Sequence, residues 1–230
     1  MKNKNTNNIK IISYNLKYHK ASEELEELVN TYDADILCIQ ECRAYKLPDT
    51  IGDLVLGDTT PNYRLNIAIY YRKDRFFISD SSSHVLKKAI LEWIFMPQME
   101  RLLVTKIYDR LSGKEITVGA FHATSHVATN HIRRQQIRTA HQLLAEESND
   151  SPTVMVGDYN YLLFKRGLKM CVEKSGYELK MSDRPTYYFN KYIGVRYDLA
   201  TSMNANIERI FALPKSKLSD HAPILVQVAV

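Results

Sequence analysis

Residues 65–79 read LNIAIYYRKDRFFIS: two runs of β-branched and aromatic residues, 65–71 and 76–79, joined by the four charged residues Arg72, Lys73, Asp74 and Arg75. Such runs suit strands, and so short a polar link suits an antiparallel hairpin, because a parallel crossover needs roughly a dozen residues or more. Residues 101–108 and 115–121, with Ser112 and Gly113 between them, repeat the pattern. Consecutive hairpins argue against a doubly wound parallel sheet.

Working outward, residues 9–14, 36–40 and 153–156 are almost continuously apolar, as in strands covered on both faces. Between the first two lies a helical pattern over 23–32, with Ser22 as N-cap and Leu25, Leu28 and Val29 among glutamates. Residues 129–147 form a longer helix with Ile132, Ile137, Ala140, Leu143 and Leu144 as its apolar stripe and Arg133, Arg134 and Arg138 opposite. A weaker helix follows over 162–173, and 196–202, 207–213 and 224–230 read as closing strands. The most apolar window, 89–96, is interrupted by Glu92 and is too short to span a bilayer; it reads as a buried strand. Neither a repeat nor a linker divides the chain, so residues 1–230 read as a single domain.

With 45% hydrophobic and 25% charged residues, the composition is that of a soluble globular protein. Residues 1–8 are polar and basic, without the apolar core of a signal peptide, which points to the cytoplasm and to no membrane insertion. Cys38, Cys42 and Cys171 are an odd count without CxxC spacing, so they read as reduced thiols. The net charge of +5 and pI near 8.9 favour an anionic partner without requiring nucleic acid. No protein partner can be inferred.

The chemistry concentrates where strands end. In Thr-Val-Met-Val-Gly-Asp-Tyr-Asn, residues 153–160, Gly157 stops the run, and Asp158 and Asn160 project from one side. Such a pair holds a phosphate, a metal or a water, or else merely satisfies loop amides as an Asx turn. Asn15, Glu41, His122, Asp198, Asp220 and His221 stand at comparable boundaries. If these ends share one rim, oxygen ligands beside two imidazoles suit Mg²⁺ or Mn²⁺ better than zinc. His122 and His126 do not form an HExxH site, which needs both histidines on a helix with a glutamate between them. His131 and His141 read as solvated helix positions, and Tyr159 and Tyr161 as packing or base-stacking residues.

Taken in order, Ser-Tyr-Asn15, Ile-Gln-Glu41, Asn66-Ile-Ala-Ile-Tyr-Tyr-Arg72, Phe-His122-Ala-Thr124, Arg133-x-x-Gln136, Gly157-Asp-Tyr-Asn160, Arg-Pro185-Thr-Tyr, Arg196-Tyr-Asp198 and Leu-Ser-Asp220-His221-Ala-Pro resemble the endonuclease/exonuclease/phosphatase superfamily, the metal-dependent phosphoesterases that include DNase I and exonuclease III-type enzymes. The resemblance implies an α+β fold, a four-layer αββα sandwich of two mixed, largely antiparallel sheets. It implies Glu41 as principal metal ligand, with Asn15 and Asp220 at the same site. Asp158 and Asn160 would position water and a phosphate oxygen, His122 would contact phosphate, and His221, oriented by Asp198, would be general base or proton donor.

The function that follows is a Mg²⁺- or Mn²⁺-dependent nuclease acting on DNA or RNA, with Arg133, Arg134 and Arg138 as candidate phosphate contacts. The alternative is a phosphatase or phosphodiesterase of a small molecule or lipid headgroup, since fold does not choose substrate. A binding module with decayed catalysis is disfavoured by the complete ligand set.

Overall fold

A computed structural model describes residues 8–61, 65–88, 100–125, 128–189 and 193–230. The strand expected at 89–96, and His126, lie outside these residues.

The first sheet contains β1 (Asn8–Asn15), β2 (Ile36–Cys42), β3 (Thr50–Ile51), β4 (Leu54–Thr59) and β5 (Asn66–Arg72). The second holds β6 (Phe76–His84), β7 (Leu102–Asp109), β8 (Lys114–His122), β9 (Thr153–Asp158) and β10 (Glu178–Met181). A small pair, β11 (Tyr187–Tyr188) and β12 (Gly194–Val195), precedes β13 (Asp198–Met203) of the second sheet and β14 (Asn206–Ala212) and β15 (Ile224–Ala229) of the first. The orders are β14-β15-β1-β2-β5-β4-β3 and β10-β13-β9-β8-β7-β6.

Each large sheet is antiparallel except for one central parallel pair, β1 with β2 and β8 with β9. Each parallel pair is joined through a helix, Leu25–Tyr32 in the first case and Asn130–Ser148 in the second. These are the strands whose apolar runs are nearly unbroken, and alternate side chains explain why: Ile36 and Cys38 of β2 enter the core between the sheets, while Leu37 and Ile39 pack under the helix Leu25–Tyr32. On the other side, Met155, Ile137, Leu144, Leu168 and Val172 join the second sheet to the helices Asn130–Ser148 and Lys165–Glu173. The result is the four-layer αββα sandwich. Truncating Ile67, fully buried between the sheets, to alanine costs about 2–5 kcal/mol.

Of the two expected hairpins, β7–β8 forms, with residues from Leu102 to Asp109 paired to Phe121 through Lys114. The other does not: β5 pairs with β2 and β4, whereas β6 pairs with β7 in the opposite sheet. The polar turn after β5 therefore carries the chain across the sandwich. Its arginines are not solvated. Arg75 donates to both oxygens of Asp109 (3.0 and 2.9 Å) in the second sheet, and to Asp35 (3.1 Å) and the Asn8 carbonyl (3.1 Å) in the first. Arg72 bonds Asp33 and the Ala34 carbonyl, each at 2.8 Å. These partners, distant in sequence, set the crossing.

All three cysteines are buried free thiols. His141, read as solvated, is buried instead: it stacks on Tyr177 at 3.9 Å, and its Nε2 lies 2.9 Å from the Thr201 hydroxyl. Tyr159 and Tyr161 are fully buried and pack in the core.

Candidate active site

Because a crossover returns the chain in the same direction, the C-terminal ends of β1 and β2 share one rim, as do those of β8 and β9. That topology brings together Asn15 and Glu41 from the first sheet, and His122 and Asp158 from the second. In the parallel register, His122 stands beside Asp158 and Phe121 beside Gly157. Gly157 has φ +150°, and a Cβ there would collide with the Phe121 carbonyl. Glycine thus permits the close approach that seats Asp158 against its neighbours. On the other flank Asp198 of β13 pairs antiparallel with Asp158. Thr186 holds that strand start, its hydroxyl oxygen accepting from the amides of Tyr197 (3.1 Å) and Asp198 (3.2 Å).

Asp158 Oδ2 is the centre of the cluster. It accepts from Asn15 Nδ2 (3.1 Å) and Asn160 Nδ2 (3.0 Å), and the Nε2 atoms of His122 and His221 lie 3.8 and 3.7 Å away. Glu41 accepts from Asn15 Nδ2 (3.3 Å) through Oε1 and from the Tyr18 amide (3.0 Å) through Oε2, and Oε1 is 3.7 Å from His122 Nε2. His221, on the loop before β15, spans the two sheets: its Nδ1 is 2.8 Å from Asp198 Oδ2, and its rear face packs on Tyr187 at 5.1 Å between ring centroids. Ser219 steadies that loop by donating to the Asn15 carbonyl (2.7 Å) and accepting from the His221 amide (3.1 Å).

Several non-glycine residues at this rim are left-handed: Lys17, Tyr18 and His19 (φ 48°, 58° and 72°), Glu41 (56°) and Asn160 (48°). Such conformations cost about 1–3 kcal/mol each. The turn at Lys17–His19 is what aims the Tyr18 amide at Glu41.

Burial raises the Asp158 carboxyl above its ordinary range, and the nearby Asp198 and Glu41 charges add to the rise, against an opposing pull from His221. Glu41 is likewise raised by burial, offset in part by Asn15 and the Tyr18 amide. Burial alone would lower the His221 imidazole; the charges of Asp198 and Asp158 outweigh it and hold the ring well above its usual value. His122 goes the other way, lowered by burial and by the Arg101 and His221 charges, and Arg101 donates to the His122 carbonyl at 2.9 Å.

Asp220 stands beside this cluster and is half-exposed, with Lys17 Nζ 3.4 Å away. The three arginines are separated. Arg133 is buried and its guanidinium donates to the carbonyls of Thr124 (3.3 Å) and Ser125 (2.5 Å), so it braces the segment after His122 instead of facing a ligand. Gln136 completes the brace by accepting from the Thr124 amide at 2.9 Å. Arg134, half-buried, donates to the Tyr161 hydroxyl (2.8 Å), and Arg138 is exposed.

Sequence reasoning missed Lys165. Its ammonium donates to the Tyr161 carbonyl (2.5 Å) and the Arg196 carbonyl (2.7 Å), tying the Asp158–Asn160 turn to the strand that begins with Asp198. Burial lowers it to about 8, with Arg196 adding to the fall and Asp158 and Asp198 opposing it. Only its place at the start of a weak helix marked it, which is no signal.

Asp158, Asp198 and His221 have donor atoms within 4.8 Å of one another, close enough to hold a metal ion. Asp198 and His221 are already bonded to each other, whereas Asp158 and Glu41 accept only from amides and, among the described residues, are paired by no lysine or arginine, so with the Asn15 amide between them they are the better donors for a hard cation. Four carboxylates, Glu41, Asp158, Asp198 and Asp220, stand here against the Lys17 ammonium beside Asp220 and one imidazole held above its usual value, so the donor set fits a divalent ion.

The endonuclease/exonuclease/phosphatase family model matches residues 5–198. The chain belongs to this family. Its members are phosphoesterases, in general dependent on divalent metals. No curated protein sequence matches the chain. Solved structures do: Bacteroides thetaiotaomicron mannosyl-6-phosphatase is 17% identical with TM-score 0.76, covering 96% of this chain and 100% of its own. D. rerio TDP2 complexed with a single-strand DNA product is 16% identical with TM-score 0.76, over 97% and 99%. The human Nocturnin catalytic domain is 16% identical with TM-score 0.72, over 96% and 94%. At these identities the likeness establishes the fold, and phosphatases and nucleic-acid enzymes share it. Among the described residues no helix is long and apolar enough to cross a membrane.

Proposed function

We propose that the protein is a divalent-metal-dependent phosphodiesterase that cleaves nucleic acid. The observation that carries this reading is the gathering, on one rim, of the Asp158 and Glu41 carboxylates, which no lysine or arginine of the described residues pairs, with an imidazole whose far nitrogen lies 3.7 Å from Asp158. Glu41, Asn15 and Asp158 would hold the metal, which offsets charge that builds on the phosphoryl oxygens when bound. Asp158 and Asn160 orient the attacking water. Between the two roles open to His221, the charges of Asp198 and Asp158 favour the protonated ring, so Nε2 donates to a phosphoryl oxygen as negative charge develops there. Water oxygen bonds to phosphorus and gives up its proton to solvent, the phosphorus–oxygen bond to the leaving nucleoside breaks, and the departing oxygen takes up a proton from solvent, so that no net proton is gained or lost by the site. His122, kept neutral by burial and Arg101, serves as a second, uncharged phosphate contact.

The nucleic-acid assignment rests on the cations of the helix that follows His122 in the chain. Arg134 and exposed Arg138 lie on the helix that leaves His122, within reach of a polyanion but superfluous for a small monoester. The test is turnover of single-stranded DNA, RNA, plasmid, bis(p-nitrophenyl) phosphate and inositol phosphates with Mg²⁺ or Mn²⁺. Oligonucleotide cleavage is expected, and Arg134→Gln/Arg138→Gln should weaken it and flatten its salt dependence, with each lost single-strand contact removing about 0.7 from the slope, while sparing the small diester. Turnover confined to phosphomonoesters would overturn the assignment.

A further inference from the structure

Five of the six exposed aromatic side chains among the described residues, Tyr18, Tyr45, Phe164, Tyr188 and Phe189, stand on the connecting segments and the short β11 strand at the site end of the sandwich. Single exposed apolar residues are ordinary on a protein surface, but these follow the chemistry. Tyr18 comes just after Asn15, Tyr45 just after Glu41, and Phe164 just after Asn160. Tyr188 and Phe189 follow Tyr187, which forms a β-bridge with His221. The sixth, Phe77, lies at the opposite end, beside Tyr108 at 5.0 Å and the Arg110 guanidinium at 5.6 Å.

Four of the five site-end rings have a cation beside them in space or in sequence. Lys215 Nζ lies 5.7 Å from the Tyr188 ring centroid and Lys46 Nζ 6.0 Å from that of Tyr45. Lys17 adjoins Tyr18, and exposed Arg166 follows Phe164. Aromatic faces interleaved with positive charge take up unpaired nucleotides, because every base offers a π-face and every linkage a phosphate. In a duplex those faces are already stacked on one another and only base edges are presented. A bilayer is the poorer occupant: the rings are spread over four separate loops around a polar centre instead of lying on one amphipathic element.

We propose that these loops form a stacking platform for unpaired nucleotides flanking the scissile phosphodiester, so that the substrate is single-stranded nucleic acid or a splayed end. The inference rests on the nucleic-acid reading given above. Tyr188 and Phe189 form its principal wall, since the adjoining Tyr187 is fixed against His221.

The test compares kcat/KM on a single-stranded oligonucleotide, on the same sequence in a blunt duplex, and on bis(p-nitrophenyl) phosphate, with vesicles of phosphatidylcholine and phosphatidylserine as a binding control. The wild-type protein should favour the single strand by about tenfold or more, and Tyr188→Ala/Phe189→Ala should lose about tenfold on it, chiefly in KM. The small diester should stay within twofold and the melting temperature should not move. Tyr188→Phe should retain the wild-type value, since the ring and not the hydroxyl stacks. Equal activity on duplex, or equal losses on oligonucleotide and small diester, would overturn the platform alone. Vesicle binding that the double variant abolishes while oligonucleotide turnover persists would assign the rings to a lipid surface and also overturn it. Absence of any oligonucleotide turnover, with the small diester still hydrolysed, would defeat the nucleic-acid reading as well.

Discussion

At the end of the sandwich away from the site, Asp109 receives Arg75 through both carboxylate oxygens, and Asp35 receives Arg75 and Arg72. At the site end, Asp158 is as deeply buried, yet among the described residues no lysine or arginine reaches it within ion-pair distance, only two imidazoles at 3.7 and 3.8 Å. The consequences differ in sign. Burial would raise Asp109, but the Arg75 bond and charge, with the Leu111 amide and Ser112, outweigh it and hold its carboxyl below the ordinary range. Asp35 shows the limit of such matching, since burial leaves it raised despite both arginines. Asp158 is raised by burial and by its carboxylate neighbours together. Matched charge fastens two sheets to each other; unmatched charge is what the proposed cation would offset.

The largest difference should appear in stability. Asp109→Asn leaves the nearly buried Arg75 guanidinium with Asp35 as its one carboxylate partner and should cost up to about 3–5 kcal/mol in urea unfolding, the range for breaking a buried pair. Asp158→Asn, measured in EDTA, should be neutral or stabilising, because it removes repulsion. Similar destabilisation by both would erase the distinction between the ends. Activity should divide the other way. His221→Ala should lose at least about 10²-fold in kcat, whereas Asp109→Asn should keep the wild-type rate per folded molecule. Next in size, Lys165→Met should lower kcat about tenfold by loosening the tie between the Asp158 and Asp198 segments, with KM little changed. Lys165→Arg should recover part of the loss, and an unaltered kcat for Lys165→Met would make the contact purely structural.

The smallest effect is in pH dependence. Asp109 has a depressed folded value, so its stabilisation is present above the unfolded carboxylate value of about 4 and is lost as pH falls through the folded one. Asp158 has a raised folded value, so in metal-free protein its contribution is present below about 4 and is lost as pH rises through the folded one. Urea midpoints from acid to neutral pH in EDTA should therefore lose their acid-side slope in Asp109→Asn and their opposite slope in Asp158→Asn. Identical pH curves for the two variants would contradict the assignment of both groups.

The same contrast explains what the sequence disclosed. The candidate cluster was legible because its residues stand at the ends of strands buried on both faces, where a lone Asn, Glu or Asp interrupts an apolar run. The parallel pairs β1–β2 and β8–β9 then had to place those ends on one rim. The turn at Arg72 and Arg75 misled because a short polar link between apolar runs encodes a reversal but not a partner. What sends β6 to the other sheet is a set of aspartates about forty residues before and thirty-five after, and spacing does not reveal them. Strand β4, with Gly57 and Asp58 at its end, and the exposed edge strand β10 lack the apolar alternation that marks a strand, so neither was anticipated. Arg133 and His141 sit among polar helix residues and read as solvated, yet each is buried against partners that only tertiary packing supplies.

The central claim is that the unmatched carboxylates at the site end exist to hold a cation that phosphodiester cleavage requires. Its most direct test is hydrolysis of bis(p-nitrophenyl) phosphate by EDTA-treated protein titrated with Mg²⁺ and with Mn²⁺, comparing wild type with Glu41→Gln at equal folded concentration. Turnover should be absent in EDTA, return with either ion in the wild-type protein, and stay lost or require far more metal in Glu41→Gln. Full turnover of the wild-type protein in EDTA, or superimposable titrations for the two proteins, would contradict the account.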